Sequence, residues 1–114
     1  VLEKVKFMLL AQHMPRAVAF YEQVFGLRAL YISDSWSELA HGDAILALHA
    51  GHDGRPNPTG LTLQVEDALE TAALLESHGG QILEAPNQAP GEPLMMGRFR
   101  DPEGNQAFLT QYRA

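Results

Sequence analysis

"RFRDPEGNQAFLTQ", residues 98–111, governs how the rest of the chain is read. Asp101, Pro102, Glu103 and Gly104 fit the four positions of a type I turn, with Asp first, Pro presetting φ at the second and Gly at the exit. From Ala107 to Gln111 apolar and polar residues alternate, the period of a strand with one buried face. The stretch is therefore a tight turn feeding a final strand, preceded by another strand in "LMMGRFR" (94–100).

Working back from this turn, "LTLQV" (61–65) and "QILEA" (81–85) read as strands. A helix lies between them, capped by Asp67 with Glu70 three residues on, buried along Ala68, Ala72 and Leu75, and closed by Gly79-Gly80. The polar loop 86–93 is long enough for a lid. The N-terminal half has the same order. "VKFMLL" (5–10) is a strand. A helix follows with Pro15 in its first turn, Ala17, Phe20, Tyr21 and Val24 on one face, and Gly26 at its end. His13 takes the cap position, and because histidine caps poorly a weak helix start is expected. Strands follow at "RALYIS" (28–33), "SWSELA" (35–40) and "AILALH" (44–49). Strand and helix-ending glycine are similarly spaced in both halves, Phe7 to Gly26 and Leu61 to Gly79, so the chain is an internal repeat. The reading is one α+β domain, 1–114, with module one at 1–49, a Gly/Pro-rich linker at 50–60 and module two at 61–114.

Composition narrows the classes of function. At 114 residues and 46% hydrophobic, the chain can build one core without a staple. It has no cysteine, which excludes disulfides and thiolate–metal sites and fits a cytoplasmic location. A formal charge of −6 argues against nucleic acid; an acidic surface tolerates cationic ligands better than anionic ones, but plain solubility is the simpler reading of the charge. No apolar run is long enough to cross a bilayer, and the N-terminal one is too short for a signal peptide. There is no nucleophile elbow and no phosphate-cradling loop.

Three stretches, "AVAFYEQVFGLRAL", "GDAILALHAG" and "RFRDPEGNQAFLTQ", together resemble the vicinal oxygen chelate superfamily, which includes glyoxalase I, extradiol dioxygenases, and fosfomycin- and bleomycin-resistance proteins. The resemblance implies two tandem βαβββ modules whose curved mixed sheets form a cup, and a homodimer built from paired modules. In metal-dependent members, four inward strand positions supply His, Gln or Glu ligands to a Lewis-acid ion. Carried onto this chain, those positions fall on Lys6, at or near Ala47, on Gly60 and on Phe108. None is an ordinary ligand for a divalent ion. A two-residue slip offers Met8, His49, Gln106 or Thr110, of which only His49 is a good ligand. The expectation is therefore no metal and no cofactor.

The residues left to line the cup are Lys6, Met8, Trp36, Glu38, His49, Gln106, Phe108 and Thr110. Trp36 and Glu38 share one strand face, a stacking platform beside a carboxylate that suits an aromatic or cationic compound. Packing in the core or at a dimer contact would equally employ a tryptophan there. Arg98 and Arg100 could reach an anionic group or pair with Asp101 or Glu103. The leading expectation is a metal-free protein, similar in type to the bleomycin-resistance branch, that sequesters a small molecule. The alternative is a lyase or isomerase of the glyoxalase type. It would use a metal at shifted ligands such as His49 with Glu38, or those two residues as acid and base. A third reading is an interaction domain whose cup is filled by Phe108.

Overall fold

The helices explain the layering. In the computed structural model, which describes residues 1–112, α1 (Met14–Phe25) buries Ala17, Phe20, Tyr21 and Val24, the face its 3.6-residue period selects. Gly26 ends it in the left-handed conformation at φ 69°, donating its N–H to Glu22 O. The other helix, α2 (Ala68–Ser77), is capped by Asp67, whose Oδ1 accepts from the Glu70 N–H at 3.0 Å, and buries Ala68, Ala72 and Leu75.

Around them stand eight strands: β1 (Lys6–Ala11), β2 (Arg28–Tyr31), β3 (Trp36–His41), β4 (Ala44–Ala50), β5 (Asn57–Gln64), β6 (Gln81–Gln88), β7 (Leu94–Arg100) and β8 (Asn105–Tyr112). They form two four-stranded sheets with the same internal order, β1-β4-β3-β2 and β5-β8-β7-β6. β1–β4 and β5–β8 are parallel, and every other pair is antiparallel. Two βαβββ modules in tandem thus give two mixed sheets. No helix of the described residues is long and apolar enough to cross a membrane.

Both helices lie between the sheets. α1 packs on β2, β3 and β4 and against α2, while α2 packs on β6, β7 and β8. Phe20 and Phe25 of α1 reach Phe99 of β7, with ring centroids 6.4 and 5.6 Å away. Leu9, Leu39 and Leu48 of the first sheet and Leu109 of the second belong to one continuous core cluster with these residues. The opposite face of each sheet therefore turns outward, and each sheet offers one half of a cup.

Three expectations change at the strand ends. β5 begins at Asn57, inside the segment 50–60 read as linker, and β6 runs to Gln88, which shortens the loop after it. Both extensions contain a proline, Pro58 and Pro86, and both strands are sheet edges, where a missing N–H breaks no ladder. β2 stops at Tyr31 rather than Ser33 because Ser33 turns the chain: its hydroxyl donates to Trp36 O at 2.8 Å and accepts from the Trp36 N–H at 3.1 Å.

The expected weak start of α1 is also corrected. His13 does cap, its Nδ1 accepting from the Arg16 N–H at 3.3 Å. The larger anchor comes from the other module. Fully buried Glu103 accepts at Oε1 from the N–H groups of Gln12 (2.9 Å) and His13 (2.7 Å), and at Oε2 from Arg16 Nε (2.7 Å). Next to it, buried Asp101 accepts from the Tyr21 hydroxyl at 2.6 Å, and Asn105 exchanges hydrogen bonds with both backbone groups of Leu10. The turn of the opening motif is thus a latch between modules. Its own i→i+3 bond, Gly104 N–H to Asp101 O, is formed at 3.2 Å.

Candidate functional site on the outward faces of the sheets

Register assigns each strand residue to a face, because directly paired residues point to the same side. Lys6 pairs with Ile45, Met8 with Ala47 and Leu10 with His49; across β4, Ala47 pairs with Glu38 and His49 with Trp36. Lys6, Met8, Trp36, Glu38 and His49 therefore share the outward face of the first sheet, since their neighbours Leu9, Leu39 and Leu48 lie in the helix-side core.

Four of these five make a connected group. Glu38 Oε2 accepts from Lys6 Nζ at 2.8 Å and from the Trp36 indole N–H at 2.9 Å. The His49 ring stands edge-on to Trp36, centroids 6.0 Å apart at 82°. Trp36 is half-buried and His49 exposed, so the indole is a pinned plane on an open sheet and not a core side chain. Met8 lies beside them, 49% exposed. The Lys6 ammonium, then the Trp36 N–H, holds the Glu38 carboxyl below its ordinary range. Such a carboxylate is a weak base, and one oxygen is already shared between two donors. The sequence reading missed this ion pair, because it depends on β1 lying parallel to β4, a pairing made across a helix.

Phe108 stands apart from that group, on the outward face of the second sheet. It pairs with Thr62 on one side and Arg98 on the other, half-buried, with Gln106 and Thr110 on the same face. No hydrogen bond or aromatic contact among the described residues joins Phe108 to the Trp36 group. Arg98 donates from Nη1 to Gln106 Oε1 at 2.8 Å and meets Glu84 at 3.4 Å. Neither Arg98 nor Arg100 pairs with Asp101 or Glu103, whose carboxylates are turned inward to Tyr21, Asn105 and Arg16.

The four positions that the resemblance assigns to a metal do not make a donor set. Ala47, Gly60 and Phe108 carry no ligand atom, and the Lys6 ammonium donates to Glu38. No group of three or more His, Cys, Asp or Glu able to hold an ion occurs among the described residues. These residues do not fit a divalent ion of the kind the resemblance implies. An apolar cleft of about 330 Å³ lies elsewhere, between Phe7, Phe25 and Leu46 and the β5 segment Leu61–Val65. It is the seam where the two modules share their core; Ile45 and Thr62 reach it from the outward faces, but Lys6, Met8, Trp36, Glu38, His49 and Phe108 do not line it.

Comparison with known proteins follows the same lines. The family model described as "Glyoxalase/Bleomycin resistance protein/Dioxygenase superfamily" matches residues 5–107. No curated protein matches the sequence. Among solved structures, a glyoxalase/bleomycin resistance protein/dioxygenase family enzyme from Burkholderia phytofirmans superposes with a TM-score of 0.78 at 17% identity, covering 94% of this chain and 96% of that one. The genomically encoded fosfomycin resistance protein FosX from Listeria monocytogenes gives 0.78 at 10% identity, with 97% and 93% covered. A member of the same superfamily from Sphaerobacter thermophilus gives 0.77 at 21% identity, with 97% and 98% covered. At these identities the structures share a fold, and the family model covers nearly the whole chain. This chain belongs to the glyoxalase/bleomycin resistance protein/dioxygenase superfamily.

Proposed function

We propose that this protein binds and sequesters a small planar organic molecule without a metal. The observation that carries the reading is the Trp36 indole, half-buried on an outward sheet face and fixed by Glu38, with His49 edge-on and Met8 beside it. A large flat apolar surface with a few oriented polar groups is what small-molecule sites use. Because Lys6 already neutralises Glu38, the platform favours an aromatic ligand over a cation.

We propose that the outward face of each sheet is one half of a cup and that a homodimer completes it, the first sheet of one copy closing over the second sheet of the other. The exposure of Met8, Tyr31, Met96 and Tyr112 fits burial by a second copy. We place the protein in the cytoplasm, consistent with the absence of cysteine.

A second reading keeps an enzyme, with His49 and Glu38 as acid and base. The exposed imidazole favours it and the lowered Glu38 pKa weighs against it. The test is twofold. Purified protein is offered Ni, Zn, Mn and Fe(II), and bound ion per chain is measured; then aromatic compounds are titrated against Trp36 fluorescence and recovered for analysis. Sequestration predicts no stoichiometric ion, quenching on binding and an unchanged compound. One tight ion per chain, or a chemically altered compound, overturns it.

A further inference from the structure

The charges on the strands are distributed against the charge of the chain. The chain carries −6, yet its strands, among the described residues, hold four cations, Lys6, Arg28, Arg98 and Arg100, and only two acids, Glu38 and Glu84. All six point outward. Arg28 pairs with Ala40, on the Glu38 side of β3, while Arg98 pairs with Glu84 and Phe108, and Arg100 with Gln81 and Gln106. The remaining acids lie in helices, turns and the N-terminal segment, so the open faces are locally cationic on an acidic molecule.

On the second sheet this excess is focused. Arg98 and Arg100 are two residues apart on the same face of β7, both half-buried, with Phe108 of β8 opposite the first and Gln106 opposite the second by register. Gln106 Oε1 holds Arg98 Nη1 at 2.8 Å, which fixes the plane of the guanidinium. The one acid in reach, Glu84, is 66% exposed and meets Arg98 Nε at 3.4 Å, a contact that water screens. No hydrogen bond among the described residues engages Arg98 Nη2 or the Arg100 guanidinium. The nearby acids of the turn, Asp101 and Glu103, are spent on the other side of the sheet. Two arginine forks, one pre-oriented, beside the Phe108 ring are suited to a planar acid: a carboxylate taken by the forks and an aromatic body lying on the ring.

We infer that Arg98 and Arg100, with Gln106, form an anion seat next to Phe108, and that the ligand of this protein is an aromatic carboxylate. This rests on the proposed small-molecule reading and reverses the preference for cations that the overall charge suggests.

The experiment uses the full chain and three probes with one ring system: 2-naphthoate, 2-naphthamide and (2-naphthyl)methylammonium, each titrated by calorimetry. Naphthoate should bind tighter than either companion by about tenfold or more, the factor a charge-assisted hydrogen bond supplies. Arg98→Met and Arg100→Met should each erode that preference while leaving naphthamide binding in place, and Arg98→Lys should recover part of it. Equal affinity across the trio, or tightest binding of the ammonium, overturns the anion seat and leaves the aromatic platform standing. No binding of any probe overturns the platform as well. If a methionine variant loses its circular dichroism signature, the wild-type trio with the lysine variant still decides.

Discussion

Replacing Tyr21 by Phe deletes one oxygen atom from the buried joint between the modules, and the structure sets the cost. The Tyr21 hydroxyl donates to Asp101 Oδ2 at 2.6 Å, a charge-assisted distance. Burial, then Asp101, pushes the phenol well above its ordinary pKa, so it stays a donor. The ring itself keeps its packing, edge-on to Phe20 at 5.0 Å and stacked on Phe25 at 5.9 Å. Asp101 retains the N–H groups of Glu103 and Asn105 and the Asn105 amide. The loss is thus one hydrogen bond to a charged group, about 2 kcal/mol, or roughly 10 °C in Tm for a chain of this size. The cost also depends on pH. Burial raises the Asp101 pKa, with Tyr21 and Asn105 opposing. A carboxyl with a raised folded pKa contributes stability that is fully present below its unfolded value and lost as pH rises through the folded value. Removing the hydroxyl raises that pKa further and deepens the loss at neutral pH, an effect that fades as pH falls and Asp101 takes up its proton. Urea unfolding at fixed protein concentration should therefore give a larger difference between wild type and Tyr21→Phe at pH 7 than at pH 4. A difference that is the same at both, or below about 0.5 kcal/mol at pH 7, would refute the latch as a net source of stability.

Four further outcomes follow from the same geometry. Glu103→Ala orphans the N–H groups of Gln12 and His13 and should cost about 3–5 kcal/mol by urea unfolding, and Arg16→Met, which leaves the fully buried Glu103 carboxylate without its counter-ion, should also destabilise. Gly104→Ala places a Cβ 2.6 Å from Arg55 O and 2.7 Å from Gly54 O at φ 104°, so it should melt lower by more than the roughly 1–3 kcal/mol of the backbone strain alone. Lys6→Met removes the first cause of the lowered Glu38 pKa. The stability that Glu38 contributes above its unfolded pKa, lost as pH falls through the folded one, should shrink, and a carboxyl NMR titration should show Glu38 shifting upward. Trp36→Ala should abolish aromatic binding by calorimetry while costing well under the roughly 3–5 kcal/mol of a core tryptophan; a loss of that size would return Trp36 to a packing role.

How far the sequence could be read depends on the range of the interaction. Both helices, their buried faces and the Asp67 cap follow from local period and capping chemistry, and the structure keeps them. Trp36 and Glu38 were legible as one face because strand side chains alternate. Edge-strand prolines hid the start of β5 and the end of β6, since local rules treat Pro58 and Pro86 as breakers and cannot see that those strands lie at edges. Asp101 and Glu103 were read as ordinary turn residues, normally solvated. Their long-range donors come from residues 12–21, 80 to 91 positions earlier, and no local pattern announces such a contact.

That same long-range joint ties the chemistry of the opening motif to the place where ligand would bind. Asp101, Glu103 and Asn105 fasten the start of β8 to the end of β1 and the start of α1, on the helix side of the sheets. Their acidity is consumed internally, so the strand that follows can present Gln106 and Phe108 outward beside two arginines with no acid of the turn opposing them. A phenylalanine at the position where the resemblance places a glutamate ligand then has a consistent sense: it removes a negative charge from a face otherwise left cationic. The lack of donor side chains at those four positions and the local excess of arginine both support the proposed recognition of a planar acid by packing and charge.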